Sequence, residues 1–561
     1  MRFRQAGGVN SIDNFARSWQ RAACFPEVFP RRSSFATADS DEEWQSPSGN
    51  FTRSLGSLMA HADLDPALTR PLLNDNGVGH DQRDGISNSS HLEPALGTSY
   101  GSISSRVSES ARKHVIEFHK QQQVHSEPAV GHDGEPLLVK QVQHEDGTRE
   151  SIVVGQSTVP QTVFNSVNVL IGVGLLSLPL AMKHAGWLFG LTFLLFAAII
   201  TSYTAKILAK CLDVDRSLVT YADLAYISFG HRARIIISFL FCLELLGACV
   251  ALVVLFADSL HVLFPGLSII QWQLICGLML VPLSFVPLRL LSVTSILGIL
   301  SCTSIVAITC IDGLTKAHAP GSLREPAQTY LFPKNWSTLP LSFGLIMSPW
   351  GGHGVFPNIY RDMRHPHKYG RSLWATYIFT YSLDCTMAVL GWMMFGDTIR
   401  DEVTANVLTM DDYPPFLSVC IIISIAIIPI TKVPLNCRPL VATAEVLCGL
   451  ETRNESTLDY GDREILAAQT VRALIRIMVV ASIVVMAIIF PSFDRIMALM
   501  GSVLCFTICI ILPLAFYLKI FGKEIKPKER MLDWFLLIVS SLLAVTGTIW
   551  AFLPQEIIAS L

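Results

Sequence analysis

Between Thr162 and Leu553 the chain is a nearly unbroken series of apolar stretches, each about twenty residues long, separated by short polar punctuation. A helix rising 1.5 Å per residue needs about 20 residues to cross the roughly 30 Å hydrocarbon layer. Inside that layer every backbone group must be satisfied within its own segment, which favours helices. The fold class is therefore an all-α polytopic membrane protein. Apolar runs at about 162–181, 185–209, 235–262, 270–287, 290–313, 339–359, 373–395, 414–433, 470–490, 495–518 and 532–553 predict eleven spans. Residues 161–555 form this transmembrane domain: repeat one at about 162–313, repeat two at about 339–518, and an extra helix at 532–553.

Residues 1–160 differ: they are rich in Ser, Gly, Asp, His and Gln, poor in aromatics, and hold no sustained period. Such a segment reads as a largely disordered regulatory or sorting tail. Arg2, Arg4, Arg17 and Arg21 suggest a transit peptide, but Asp13, Glu27 and the distance to the first span argue against one. RRSS at 31–34 offers a basic-directed phosphorylation site. DGEPLL, with Asp133, Leu137 and Leu138, has the form of an acidic dileucine signal, so a sorting adaptor is a possible partner. The alternation in EPLLVKQVQHEDGTRESIVVG predicts a short hairpin just before the membrane.

Net charge is −3, which speaks against a nucleic-acid partner. The 13 cysteines lie mostly in apolar runs without a CxxC pair and read as packing residues. Neither they nor the tail histidines have metal-ligand spacing, so neither metal nor cofactor is expected.

Basic residues orient the spans. With the tail in the cytosol, the loops on its side hold Lys210, Arg216, Arg232 and Arg234, Arg289, Arg361, Arg364, Lys368 and Arg371, and later Arg438 to Arg472 and Lys519 to Arg530. The opposite loops hold only Lys183, Lys316, Arg324, Lys334, Arg400 and Arg495. The positive-inside rule then places the amino terminus in the cytosol and the carboxyl terminus on the far side. The sequon at Asn335 falls in the long far-side loop, where glycosylation occurs.

Two spans carry backbone breakers. Span one holds Ile171, Gly172, Val173 and Gly174, followed by Pro179. Span six reads SPWGGHGVFP, with Ser348, Pro349, Trp350, Gly351 and Gly352. One interrupted helix could be a packing device that lets neighbours approach. Two, first and sixth of eleven, open two five-helix sets, and matched interruptions in two halves point to a transport site. Unwound backbone bares N–H groups suited to a carboxylate and carbonyls suited to an ammonium, and an amino-acid zwitterion carries both. Asn165, Asn168 and Gly172 recur at i, i+3 and i+7, so the amides either extend the polar wall of that site or bond to neighbouring helices. Trp350 would bound the substrate side chain or anchor at the interface.

Four ionisable residues lie within spans. Glu244, nine residues past Ile235, sits about 14 Å deep. Such groups mark ion or proton paths, and Glu244 is the preferred proton site. Asp258, Asp384 and His353 could also relay protons, and for each a structural hydrogen bond is the competing role.

TVFNSVNVLIGVGLLSLPLAMKHAGW, CVALVVLFADSL, MSPWGGHGVFPNIYRDM and VPLNCRPL resemble fungal vacuolar amino-acid transporters of the amino acid/auxin permease family, over about 150–555. The resemblance implies a LeuT-type inverted-repeat fold, a vacuolar membrane, and antiport of neutral amino acids for protons, with the proton gradient as energy source. Its branch includes vesicular inhibitory-transmitter carriers. It places the unwound substrate-binding segments at 171–174 and 348–352. Two rivals remain: a proton- or sodium-coupled exporter from the organelle, and an amino-acid sensor that signals through its tail. An intramembrane enzyme is not expected, since no HExxH or GxSxG occurs in the spans. The preferred amino acid and the oligomeric state are not encoded legibly.

Overall fold

The computed structural model describes residues 12–22, 35–37, 107–124, 137–143, 149–215, 217–410, 412–448, 462–522 and 524–554. The tail contributes α1 (Ile12–Ala22), β1 (Phe35–Thr37), α2 (Glu109–Val124), β2 (Leu137–Gln143) and β3 (Arg149–Val153). The rest is helical: α3 (Val159–Leu170), α4 (Leu178–Leu212), α5 (Tyr221–Phe229), α6 (His231–Leu263), α7 (Ile269–Leu283) and α8 (Leu288–Thr315). There follow α9 (Leu339–Met347), α10 (Phe356–Arg361), α11 (Tyr369–Phe395), α12 (Val403–Leu408) and α13 (Pro415–Leu447). The chain closes with α14 (Asp462–Ile489), α15 (Phe493–Leu499), a π-helical stretch at Met500–Ile511, α16 (Leu512–Phe521) and α17 (Pro527–Phe552).

Among the described residues, eight helices are long and apolar enough to cross a membrane. The other expected passes are the 15-residue α7 and the two interrupted helices. Each of the eleven apolar runs thus has a helical counterpart. Spans one and two are separated inside α4 by Gly186, whose φ of 71° a side chain would strain. The N–H groups freed there are not left bare, because Trp187 and Leu188 donate to the Tyr330 and Leu331 carbonyls of the long loop. Span eight differs from expectation. It does not end at Val433: α13 continues to Leu447 with Pro429, Pro434 and Pro439 inside it.

Within the bilayer, helices associate through close packing rather than the hydrophobic effect, so small residues sit at crossings. At the crossing of α9 and the π-helical stretch, Gly344 faces the Ala498 carbonyl and Gly501 faces the Gly344 carbonyl with no room for a β-carbon. Short α5 is held by a reciprocal cap, in which Thr220 Oγ1 accepts from Asp223 N–H and Asp223 Oδ2 accepts from Thr220 N–H.

The expected hairpin is present: β2 and β3 pair antiparallel from Val139↔Val153 to Gln143↔Arg149. β1 runs parallel to β2 and sets Phe35 opposite Leu137 and Ala36 opposite Leu138, so both leucines of the sorting motif lie in a strand. Asp133 and the 31–34 motif lie outside the described residues.

The expectation of a largely disordered tail does not cover α1 and α2, which dock on the membrane domain. α1 packs against α3, α8 and α10. Its Arg21 Nε donates to Asp362 Oδ1 at 2.7 Å, with both side chains buried. Ser157 joins them, bonding Asp362 through its hydroxyl and donating its N–H to the Asp362 carbonyl at 2.6 Å. The start of span one and the end of span six are thereby tied together under α1. α2 packs on α5, where His114 Nδ1 lies 3.1 Å from the Ile227 carbonyl.

Candidate substrate site at two broken helices

Span one begins with Thr158 N–H donating to Gln161 Oε1 at 2.9 Å and Pro160 in the first turn, both ordinary helix-starting devices. The helix stops at Leu170. Ile171 (φ −73°, ψ 115°) and Gly172 (φ −151°, ψ −162°) are extended, and a tight turn at Val173–Ser177 leads into α4. Span six breaks in the same manner. α9 ends at Met347, a tight turn covers Ser348–Trp350, Gly351 is extended (φ −71°, ψ 90°), and α10 starts only at Phe356.

The structure brings the two breaks into contact. A β-carbon on Gly174 would lie 3.0 Å from both the Pro349 nitrogen and Ser348 Oγ. Next to that contact is room: nothing lies within 4 Å of a β-carbon placed on Gly172. Gly352 closes the other side, where a β-carbon would come within 2.9 Å of Leu170 and 3.1 Å of Val169. The two breaks thus touch at Gly174, and the span-one break keeps room at Gly172.

The remaining sequence-predicted residues divide. Asn168 is buried beside the break, with its Nδ2 lacking a partner. Asn165 is engaged elsewhere and donates to Ser18 Oγ of α1 at 2.7 Å. Trp350 is fully buried and stacks on Tyr377 at 5.6 Å between centroids. Glu244 of α6 reaches span six, with its Oε1 3.0 Å from the position of a Gly351 β-carbon and Cys505 Sγ beside it at 3.1 Å. His353 is packed into the scaffold: Nε2 lies 3.1 Å from the Thr201 carbonyl and 3.0 Å from Thr204 Oγ1. Asp384 is buried in α11 with Oδ2 lacking a partner.

Asp258 stands apart, near the end of α6, in electrostatic reach of Asp401 and Glu402 in the loop before α12. Glu402 is buried with neither carboxylate oxygen hydrogen-bonded. Burial first, then the Asp258 and Asp401 charges, push its carboxyl well above the ordinary glutamate value. Asn335 is exposed in the long loop, as a glycosylation acceptor must be.

Sequence reasoning missed Lys432. Its Nζ donates to the Asn168 carbonyl at 2.6 Å, Asn168 Oδ1 at 2.9 Å and the Ile171 carbonyl at 3.2 Å. Lys432 stands next to the end of the apolar run 414–433, where a lysine attracts no notice. Pro429 before it and Pro434 and Pro439 beyond it disguised the continuation of the helix.

The family model described as transmembrane amino acid transporter protein matches residues 155–553. The chain belongs to that family. Amino acid transporter AVT1D of Arabidopsis thaliana is 31% identical to this transporter over 406 residues, covering 69% of this chain and 68% of the relative. AVT1I of the same plant is 31% identical over 423 residues, covering 72% and 97%. The vesicular inhibitory amino acid transporter of Xenopus tropicalis is 25% identical over 409 residues, covering 68% and 74%. Among solved structures, MhsT in complex with L-phenylalanine aligns with a TM-score of 0.42 at 12% identity, over 70% of this transporter and 98% of that chain. The Eremococcus coleocola manganese transporter aligns with a TM-score of 0.43 at 13% identity, over 71% and 89%. The family membership rests on the sequence match.

Proposed function

We propose that this transporter moves neutral amino acids across the vacuolar membrane into the acidic lumen, in exchange for protons and by alternating access. One observation carries the substrate reading: the two breaks meet at Gly174 and Ser348–Pro349 and leave an opening beside Gly172. The backbone N–H groups and carbonyls of an unwound segment suit a zwitterion better than an ion of one sign. The family and its vacuolar and vesicular relatives support amino acid as the cargo and an organelle as the place. The excess of basic residues on the tail side supports a cytosolic amino terminus and a lumenal carboxyl terminus. The tail, residues 1–160, would then hold its strand-borne dileucine where a cytosolic adaptor reads it.

Uptake by the purified full chain in proteoliposomes tests the reading. With an acidic interior, labelled neutral amino acid should accumulate inside, about tenfold per pH unit for each proton exchanged. A protonophore should abolish that accumulation. Accumulation only with an acidic exterior would make the chain a symporter, and the antiport reading would fall. A sensor, in contrast, would lose signalling on deletion of the tail with flux unchanged.

A further inference from the structure

Lys432 lies 17 residues beyond Pro415, at the middle of the 33-residue α13 and about 26 Å along it. A cation packed between helices is costly and calls for a partner. No carboxylate among the described residues forms an ion pair with it; its hydrogen-bond partners are the three oxygens of Asn168 and Ile171. Its stem packs on Gly298 of α8, where a β-carbon would lie 3.3 Å from Lys432 Cε. The titratable group that faces it is Cys302 of α8, which also lies in electrostatic reach of Asp384 of α11. From α3 it meets only amide and carbonyl groups, and α6 presents Cys249 to α13 farther on, at Cys437.

Two carbonyls freed by an extended residue, with a side-chain oxygen beside them, form the donor set of a monovalent-cation site. Here a side chain fills that set. We propose that Lys432 is a tethered cation in the broken end of span one, and that its proton is the one exchanged for the amino acid. The proposal rests on the transport reading above. The oxygens held by the lysine ammonium are those an amino-acid ammonium would seek, so protonated Lys432 and bound substrate exclude each other. On the cytosolic side one Nζ–H bond breaks, its electron pair stays on nitrogen, and the proton leaves on water. The neutral amine releases the carbonyls to the substrate. On the lumenal side the substrate departs and the amine takes a proton from water, forming the Nζ–H bond again. Each cycle moves one proton out as one amino acid moves in, and no metal cation takes part.

The test is equilibrium binding of a panel of labelled neutral amino acids to the purified full chain in choline medium, as a function of pH. Wild type should bind about tenfold or more weakly at pH 5.5 than at pH 8, and added sodium should change nothing. Lys432→Gln should bind with one affinity across that range, and Lys432→Arg weakly throughout. Should the variants fail to fold, wild type decides: a flat pH profile, or a requirement for sodium, overturns the proposal. So does a Lys432→Gln that keeps the wild-type profile, or one whose loss of affinity is the same at every pH, which would make the lysine a contact for the substrate carboxylate. Absence of any saturable binding by wild type, in contrast, overturns the transport reading itself.

Discussion

The two broken helices share a geometry and differ in what surrounds them. In span six, Gly351 is pressed against Glu244 and Cys505, Gly352 against Leu170 and Val169, and Gly354 against the Phe241 ring, which overlaps the place of a β-carbon. In span one, Gly172 meets open space, while Lys432 holds the carbonyls of Asn168 and Ile171. One break is fixed by packing, and the other is fixed by a single removable charge. An unwound segment that must change its contacts in each cycle cannot be jammed by side chains on every side. The comparison teaches that the glycines are needed for different reasons: in span six and at Gly174 to admit neighbours, at Gly172 to leave room for a ligand.

Substitutions at the two sites separate these roles. A β-carbon at Gly172 meets nothing within 4 Å, so Gly172→Leu should leave the melting temperature near wild type and abolish amino-acid uptake in proteoliposomes. Gly354→Ala should do the reverse: the methyl overlaps the Phe241 ring, and overpacking of this kind costs about 1–3 kcal/mol. Detergent melting curves should therefore show a clear loss for Gly354→Ala and almost none for Gly172→Ala. Equal losses would erase the distinction between the breaks.

Smaller effects extend outward from the site. Arg21→Ala leaves Asp362 buried without its cation, a loss on the order of 3 kcal/mol if α1 stayed in place. The cheaper response is for α1 to undock, so trypsin should cut at Arg17 in this variant and not in wild type, with the membrane domain intact. Protection of Arg17 in both proteins would mean that the ion pair does not hold α1 down.

The smallest effect concerns pH. Glu402 is held above its ordinary value by burial and by Asp258 and Asp401, so its neutral form is the one the fold favours. The folded state then binds more protons than the unfolded state, and stability falls as pH rises above about 4.5. Glu402→Gln should flatten that fall between pH 5 and pH 7.5. An unchanged slope would show that Glu402 does not set it.

Spans and breaks were legible because lipid imposes strict rules on sequence: apolar runs of fixed length, and Gly or Pro only where exposed backbone is buried or wet. The 137–153 hairpin was legible from alternation. Docking of α1 was not. Its apolar face of Ala16, Trp19 and Ala22 is brief, and the partner of Arg21 lies 341 residues away. Asn165 read either as part of the polar wall or as a bond to a neighbouring helix, and the docked α1 shows its amide donating to Ser18. Lys432 was hidden by its own surroundings, since a lysine beside Pro429 and Pro434 resembles the end of a span. Its role depends on the side of α13 that meets α3, which no local pattern encodes.

The central claim is that the opening beside Gly172 holds the amino acid. Saturation binding of labelled neutral amino acids to purified wild type and Gly172→Leu, with melting temperatures measured on the same samples, tests it most directly. The account predicts saturable binding by wild type and none by a Gly172→Leu protein that melts at the same temperature. Undiminished binding by that variant would contradict it.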